Sequence, residues 1–364
     1  MIVETTSAVK KRSLSKRIKG VILKTFRLTN KPVVRLYTGY GNKTHCFLYG
    51  HVFSLSPLPR KKHRQDILLN ALALLRLFMV KTKKAAVLQF IWEDKKLITI
   101  SEGDGFFKFE WQPKLALTAG THNVEVAMLD RVDGNIIATA TAIIIVPHYN
   151  QFAFISDIDD TFLVSHSSNL RRRLFVLLTE NALSRKPFDG VVNHYQLLSN
   201  AHAPEDTTNP FFYVSSSEWN LYNYIMDFSK KNKLPEGVYL LNQVKRFKQV
   251  FKTGQNNHGT KFMRITRVLE AYPEHRFVLL GDDSQADPVI YASAAEHFPA
   301  QIFGIYIRQV NKTSRPEVAE KLREIEKKGI YCCYFEHSAQ AVIHSKSIGL
   351  IGELKPTLPQ SKID

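Results

Sequence analysis

The chain has 364 residues, and its 44% apolar content is normal for a globular protein with enough material for two cores. Its 50 lysines and arginines outnumber its 33 aspartates and glutamates, which gives a formal net charge of +17 and predicts an anionic partner. The three cysteines, Cys46, Cys332 and Cys333, exclude a disulfide framework and a cysteine zinc site, because their number is odd and their spacing fits neither.

The apolar runs indicate that the chain does not span a membrane. The longest, 67–80 and 136–146, are too short to cross a bilayer and are interrupted by polar residues. Lys24 and Arg27 interrupt the apolar stretch behind the basic N-terminal run, which therefore does not resemble a cleavable secretion signal. We expect a cytoplasmic protein.

Residues 1–31 are predicted to be a basic amphipathic segment. Within the stretch 9–28, apolar residues recur at helical intervals between lysines and arginines. Such a helix has two uses: packing on the body of the protein, or peripheral binding to an anionic membrane surface. The sequence leaves both open.

Residues 32–147 are predicted to form a β-rich, sandwich-like domain. Short runs of β-branched and aromatic residues alternate with Gly, Asn and Asp turn signals, and one helix over 65–79 interrupts them. This half contains no catalytic cluster in its sequence. We therefore expect it to serve as structural support or membrane contact.

After Pro147 strands alternate with helices, which predicts an α/β domain over 151–347 followed by a tail over 348–364. The predicted strands are 152–155, 211–214, 277–280, 302–307 and 331–335, and the predicted helices are 169–182, 218–232, 260–272, 315–328 and 337–347. Such alternation indicates a mostly parallel sheet with helices on both faces. Ligands bind at the carboxyl ends of the strands in sheets of this kind.

Three of the predicted strands end in groups that carry chemistry. These groups are Asp157 and Asp159 after the first strand, Ser215, Ser216 and Ser217 after the second, and Asp282, Asp283 and Asp287 after the third. If the strands are parallel neighbours, these groups converge on one edge of the sheet. The resulting carboxylate-rich pocket would suit a hard cation such as magnesium.

The spacing of Asp157 and Asp159 suits a nucleophile beside a general acid/base. A polar turn at the end of a buried strand is the alternative explanation. A calcium loop is excluded, because Phe162 stands at the position where that loop needs glycine.

Lys261 opens an apolar-patterned helix, so it is a candidate for holding phosphoryl oxygens. Spacing alone equally allows a solvated lysine, and Lys245, Lys248 and Lys252 are rival candidates. The serine triplet has a second interpretation as a helix N-cap.

Together these residues resemble the haloacid dehalogenase-type phosphohydrolases. "DIDDT" at 157–161 is similar to their D-x-D-x-T motif, and "FFYVS", Lys261 and "GDDSQAD" are similar to the three motifs that follow. A closer resemblance, over roughly 33–310, is to the actin-patch-associated phosphatidate phosphatase family. It is carried by "RKPFDGV", "NPFFYVSSSEWNLYNYI" and "IYIRQV", and by a "GYG" segment in the β-rich half.

This resemblance implies a Rossmann-like haloacid dehalogenase domain that hydrolyses phosphatidate to diacylglycerol with Mg²⁺ and an aspartyl-phosphate intermediate. The implied roles are catalysis by Asp157, Asp159, Ser215 and Lys261, substrate binding by Thr161, Ser215, Ser216 and Lys261, metal binding by Asp157, Asp159, Asp282 and Asp283, and a supporting role for Asp287. The sequence departs from the family at Asp283 and Ser284, in a motif that usually reads Gly-Asp-Ser-Gly, and at Thr260, where His is usual.

Other functions stay open at this point. A soluble phosphate ester suits the same catalytic groups, and a non-catalytic lipid-binding adaptor would use the β-rich half and the basic segment. The charge also permits a nucleic-acid partner, but the sequence has no helix-turn-helix, zinc or RNA-binding signature, so we expect none that is specific.

Overall fold

The computed structural model of the chain describes residues 20–21, 23–58, 76–149, 151–158, 187–205, 207–244, 258–284, 286–310 and 315–352. The predicted helix over 169–182 lies outside the described residues, as do most of the predicted helices over 9–28 and 65–79. Asp159 and Thr161 lie outside them as well.

Ten strands between residues 28 and 146 form one hydrogen-bonded sheet. They are β1 (Leu28–Thr29), β2 (Val33–Leu36), β3 (Gly39–Gly41), β4 (Cys46–Pro57), β5 (Lys81–Thr82), β6 (Val87–Trp92), β7 (Lys95–Ile100), β8 (Phe106–Trp111), β9 (Gly120–Leu129) and β10 (Ile136–Val146). The long strand β4 pairs antiparallel with β1, β2, β3, β5 and β8. Strands β10, β9, β6 and β7 form an antiparallel ladder, which a parallel pairing of β3 with β10 joins to β4.

The core of this β-rich unit lies between two groups of strands. Alternate residues of a strand point to the same face, so every second side chain enters the core. Leu48 of β4 and Phe109 of β8 belong to the same buried cluster as Phe90 of β6, Val126 of β9 and Ile144 of β10. This arrangement matches the predicted sandwich-like packing, with the difference that all the strands belong to one continuous sheet.

A second sheet of six strands follows, and every neighbouring pair in it is parallel. Its elements are β11 (Phe152–Ser156), α1 (Val191–Asn200), β12 (Phe211–Glu218), α2 (Tyr222–Lys231), β13 (Gly237–Asn242), α3 (His258–Ala271), β14 (Arg276–Asp282), α4 (Asp287–His297), β15 (Ile302–Arg308), α5 (Pro316–Glu326), β16 (Tyr331–Phe335) and α6 (Ser338–Ser347). The predicted parallel α/β architecture is confirmed, whereas β13, α1 and α4 had no counterpart in the sequence prediction.

Helices cover both faces of the parallel sheet, as predicted. Phe211 and Phe212 are adjacent in β12 and therefore point to opposite faces. The Phe211 ring lies 5.5 Å from Tyr195 of α1, and the Phe212 ring lies 5.4 Å from Tyr272 at the end of α3, both measured between ring centroids. No helix in the described part of the chain has both the length and the apolar run that crossing a bilayer requires.

The two sheets share buried contacts. Tyr37, Tyr40, Phe53 and Phe78 of the β-rich unit belong to the same hydrophobic cluster as the core of the parallel sheet. The "GYG" segment takes part directly: the Tyr272 hydroxyl donates to the Gly41 carbonyl at 3.0 Å. The β-rich unit is therefore packed onto the α/β unit.

Buried histidines make the fold sensitive to acid. Burial, followed by the charges of Arg308 and His344, lowers the pKa of His194 from 6.5 to about 3. Above pH 6.5 neither the folded nor the unfolded state binds this proton. Below it the unfolded chain takes up a proton that the folded protein does not, so stability falls as pH falls from about 6.5 towards 3.

We predict that His194→Gln reduces the loss of unfolding free energy between pH 6.5 and 4 by about 1.4 kcal/mol per pH unit, the share of one histidine. Urea denaturation at a series of pH values measures this slope. His297→Gln, which replaces an exposed histidine, is the control and should leave the slope unchanged. An equal slope in wild type and His194→Gln would contradict the prediction.

Candidate active site

The candidate site lies where the connections of the parallel sheet change direction. The strand order is β13-β12-β11-β14-β15-β16, so β11 has β12 on one side and β14 on the other. Ligands bind outside the carboxyl ends of the strands at such a switch point. Asp157 directly follows β11, the serine triplet lies in the last part of β12, and Asp282 ends β14.

Three carboxylates and one lysine meet at this point. Asp157, Asp282 and Asp287 each place a carboxylate oxygen within 4.8 Å of the other two. The Lys261 ammonium donates to Asp157 Oδ1 at 2.6 Å and also to Asp287 Oδ1. All four side chains are buried: the carboxylates are at most 1% exposed and Lys261 is 5% exposed. Lys261 is thus the candidate lysine that the described residues place in the cluster, whereas Lys245, Lys248 and Lys252 lie outside the described residues.

Asp287 enters the cluster because helix α4 begins there, directly beside the end of β14. Gly281 makes this approach possible. A Cβ at position 281 would lie 2.6 Å from Asp287 Oδ2 and 2.7 Å from the Tyr291 ring. The sequence resemblance implied a supporting role for Asp287, but its carboxylate lies in the cluster itself, against Lys261.

The cluster contains three carboxyl groups and one ammonium group. Burial disfavours the Lys261 ammonium, but Asp157 and Asp287 outweigh burial and raise its pKa above the usual value. Burial and then the Asp287 carboxylate raise the pKa of Asp282 to about 7. Lys261 is hydrogen-bonded to Asp157 and Asp287, and the third carboxylate, Asp282, lies beside them, an arrangement of carboxylates that suits a cation.

The donor set of the cluster favours a hard divalent cation. All three groups offer oxygen atoms, and the described residues place no cysteine or histidine in the cluster. Carboxylate oxygen is the ligand type that Mg²⁺ and Ca²⁺ prefer, whereas zinc favours nitrogen and sulfur. The residues present therefore fit the magnesium site expected from the sequence.

Asp283 is not one of the three carboxylates of this cluster, and the metal-binding role that the resemblance implied for it stays a prediction. Its Oδ1 accepts from the Val310 amide at 2.8 Å, and its Oδ2 accepts from the Tyr334 hydroxyl at 2.7 Å. Successive residues at the end of a strand point to opposite sides, so Asp282 and Asp283 do not face the same site. Asp283 instead holds the end of β14 to the segment after β15.

The serine triplet forms a bulge at the end of β12. Val214 pairs with Leu240 of β13 and Glu218 pairs with Asn242, so three serines face one residue of the neighbouring strand. Ser215 is fully buried, and its Oγ accepts from the Ser217 amide at 2.9 Å. Ser216 is the partly exposed member of the triplet. The N-cap alternative is not seen, because a single 3₁₀ turn over Trp219–Leu221, with no side-chain cap at Glu218, separates the serines from α2.

Arg264 and Asn242 are site neighbours that sequence reasoning missed. Arg264 donates to the Ser215 carbonyl at 3.3 Å and to Asn242 Oδ1 at 3.2 Å, and so connects the bulge to β13. Arg264 lies three residues after Lys261, a spacing that places two side chains on one helix face. This spacing is visible in the sequence. Because strand β13, which carries Asn242, was not predicted, the sequence did not indicate what Arg264 binds.

The remaining site residues predicted from the sequence either lie outside the described residues or lie at the expected edge of the sheet. Asp159 and Thr161 lie outside the described residues, so their roles stay predictions. Asp157, Ser215, Lys261 and Asp282 lie at the same edge of the parallel sheet, as expected.

Fold and site together define a parallel α/β unit with a buried carboxylate–lysine cluster at its switch point. Residues 152–309 match the family described as phosphatidate phosphatase APP1, catalytic domain. Over this segment the chain is therefore similar to the family that the sequence motifs resembled.

Two relatives each match less than half of the chain. Phosphatidate phosphatase APP1 of Saccharomyces cerevisiae is 31% identical over 154 residues, which is 42% of this chain and 25% of the yeast protein. An uncharacterized protein of Schizosaccharomyces pombe is 26% identical over 163 residues, which is 44% of this chain and 26% of that protein. The chain thus matches about a quarter of the length of these relatives.

A solved structure of a carbohydrate acetylesterase from Xanthomonas citri aligns with 84% of this chain and 68% of its own chain. Its sequence identity is 8% and its TM-score is 0.30, which is too low to inform the fold or the function.

We predict that Gly281→Ala disrupts the cluster, because the added methyl would lie 2.6 Å from Asp287 Oδ2. Asp287 would have to move away from Lys261, which would weaken the position of Lys261 against Asp157. Thermal unfolding and a crystal structure of the variant measure the effect, with a destabilisation of about 1–3 kcal/mol expected from overpacking. Gly259→Ala is the control, because a Cβ there meets nothing within 4 Å. Equal stability of the two variants and unchanged Asp287 coordinates would contradict the prediction.

Proposed function

We propose that this protein is a magnesium-dependent phosphatase that hydrolyses phosphatidate to diacylglycerol through an aspartyl-phosphate intermediate. One observation carries the proposal: the Asp157 carboxylate lies at the switch point in contact with Lys261 and beside two further carboxylates. This cluster lies in the segment that matches the phosphatidate phosphatase catalytic domain. The assignment to the haloacid dehalogenase type is part of the same proposal.

In this proposal Asp157 and Asp282 would hold Mg²⁺, together with the backbone carbonyl predicted for Asp159 from the sequence. Bound Mg²⁺ supplies positive charge that reduces the repulsion between a phosphate dianion and the surrounding carboxylates. Asp287 keeps Lys261 in place, since its carboxylate accepts a hydrogen bond from the same ammonium as Asp157.

Lys261 has two functions in this site. Its contact with Asp157 Oδ1 at 2.6 Å orients that carboxylate and favours its ionised form, which is the nucleophilic form. Its positive charge also attracts the phosphoryl oxygens of the substrate. The N-terminal turn of α3 adds backbone amides with the same polarity.

The proposed chemical steps combine the position of Asp157 with the acid/base role predicted for Asp159 from the sequence. The Asp157 carboxylate attacks phosphorus, the bond to the glycerol oxygen breaks, and Asp159 donates its proton to that oxygen. Asp159, now ionised, takes a proton from water as the water attacks the phosphorus of the aspartyl-phosphate. The Asp157–phosphate bond then breaks, and orthophosphate leaves.

The substrate class rests on two supports. The formal charge of +17 favours an anionic substrate or surface, and the family of residues 152–309 is named for phosphatidate hydrolysis. Peripheral attachment to an anionic membrane through residues 9–28 is a further part of this proposal.

A phosphate-release assay that offers phosphatidate vesicles beside soluble phosphate esters tests the substrate class directly. If only the soluble esters are hydrolysed, the substrate is a soluble phosphate ester and not phosphatidate. If neither is hydrolysed, the result favours a lipid-binding adaptor.

We predict that Asp157→Asn lowers phosphate release by on the order of 10³-fold or more, because the amide removes the nucleophile without changing side-chain shape. Asp283→Asn is the matched control: it alters a neighbouring buried carboxylate whose oxygens bind Val310 and Tyr334. It should retain most of the activity. Activity of Asp157→Asn near the wild-type level would refute the nucleophile assignment.

Magnesium removal provides a second prediction. Excess chelator should abolish phosphate release, and added Mg²⁺ should restore it, because three buried carboxylates repel the substrate phosphate when no cation is bound. Asp282→Asn should raise the Mg²⁺ concentration needed for half-maximal activity, whereas Asp283→Asn should leave it unchanged. Full activity in excess chelator would show that the cluster works without a metal.

A further inference from the structure

The serine bulge is followed at once by a segment that the β-rich unit holds. Trp219 lies two residues after Ser217, and its ring stacks on Tyr37 with a centroid distance of 3.8 Å and an interplanar angle of 19°. Tyr37 also lies against Tyr222, with centroids 4.7 Å apart. The Tyr222 hydroxyl accepts from the Thr38 amide at 3.3 Å.

A second contact reaches the same segment from another part of the β-rich unit. Asn220 donates from its side-chain amide to the Leu77 carbonyl at 2.9 Å. Asn220 is buried, and so is Trp219. Three of the four residues from 219 to 222 are therefore in contact with the β-rich unit.

Tyr37 itself has a fixed position. It is 1% exposed, its amide donates to the Tyr49 carbonyl at 3.1 Å, and its hydroxyl is hydrogen-bonded to His51 Nδ1 at 2.9 Å. Burial, and then the charge of Arg35, lower the pKa of His51 to about 3. The ring that Trp219 stacks on is thus held from both its backbone and its hydroxyl.

We propose that Tyr37 is a positioning residue for the serine bulge, so that the β-rich unit takes part in holding the substrate phosphate. A bulge has few ladder hydrogen bonds of its own, and its geometry depends on what holds its two ends. Strand β12 fixes the end at Val214 through its pairing with Leu240. The other end, Glu218, pairs with Asn242, and the stack of Tyr37 on Trp219 holds the residue that directly follows it. This inference rests on the proposed function, because it takes the bulge as the phosphate-holding element.

Tyr40 provides a matched comparison in the same interface. It is also a tyrosine of 1% exposure, and its ring contacts Phe212 and Tyr272 of the α/β unit. Phe212 lies at the start of β12, and Tyr272 directly follows α3, the helix that carries Lys261 near its other end. Ala271 is ten positions after Lys261 in the helix, or about 15 Å along the helix axis. Tyr40 therefore stabilises the interface far from the bulge.

The test compares Tyr37→Leu, Tyr37→Phe and Tyr40→Leu in the full chain. Hydrogen–deuterium exchange of residues 215–221, the inhibition constant of orthophosphate, and KM and kcat for a phosphate ester are measured for each. Tyr37→Leu should accelerate exchange and raise the orthophosphate inhibition constant and KM by on the order of 10- to 100-fold, as expected for a displaced positioning group. Tyr37→Phe keeps the stacked ring but loses the hydrogen bond to His51, so it should lie between wild type and Tyr37→Leu in these quantities.

Tyr40→Leu should lower the melting temperature as much as Tyr37→Leu does, while leaving exchange at 215–221 and both constants unchanged. If Tyr37→Leu does not fold, Tyr222→Phe, which removes one hydroxyl, should shift the same quantities in the same direction by a smaller factor. Equal effects of Tyr37→Leu and Tyr40→Leu, or a change in melting temperature alone, would overturn the inference. If wild type releases no phosphate, the proposed function fails, and the exchange data still decide whether Tyr37 positions the bulge.

Discussion

The ion pair between Lys261 and Asp157 is the interaction on which the rest of the site depends. Both groups are buried, and a buried charge is stable only when it is paired and hydrogen-bonded. Asp287 completes the pairing of Lys261 from the opposite element, helix α4. The site therefore needs α3 and α4 in fixed positions at the end of β11. The cluster also contains a third carboxylate, Asp282, whose pKa is raised to about 7 by burial and then by Asp287.

The fold meets this requirement through backbone geometry as well as through side chains. The parallel pairing of β11 with β12 and β14 brings Asp157, the serine bulge and Asp282 to one edge. Gly281 leaves room for Asp287, and Arg264 connects the bulge to the neighbouring strand. The β-rich unit, which carries no catalytic cluster in its sequence, packs against the segment that follows the bulge. Its aromatic contacts give it a part in the geometry of the site.

The sequence was informative where a property is local. Apolar runs ending in Asp or Ser located β11, β12 and β14, and the motif order indicated the family of residues 152–309. The role of Asp287 was not predictable from the sequence. Its position depends on where α4 begins and on the space left by Gly281, which has no Cβ. Composition alone does not show that Asp282, rather than the adjacent Asp283, lies in the cluster. The stack of Tyr37 on Trp219 joins residues far apart in the chain, and no local pattern indicates it.

In the proposed mechanism the Asp157 carboxylate becomes phosphorylated during turnover. Rapid acid quench of the wild-type enzyme with radiolabelled phosphatidate in Mg²⁺, followed by proteolysis and mass spectrometry, locates any covalent phosphate. The proposed mechanism predicts one phosphoryl group on the peptide that contains Asp157, bound as an acyl phosphate that hydroxylamine releases. Steady phosphate release with no label on the protein, or label on another residue, would contradict it.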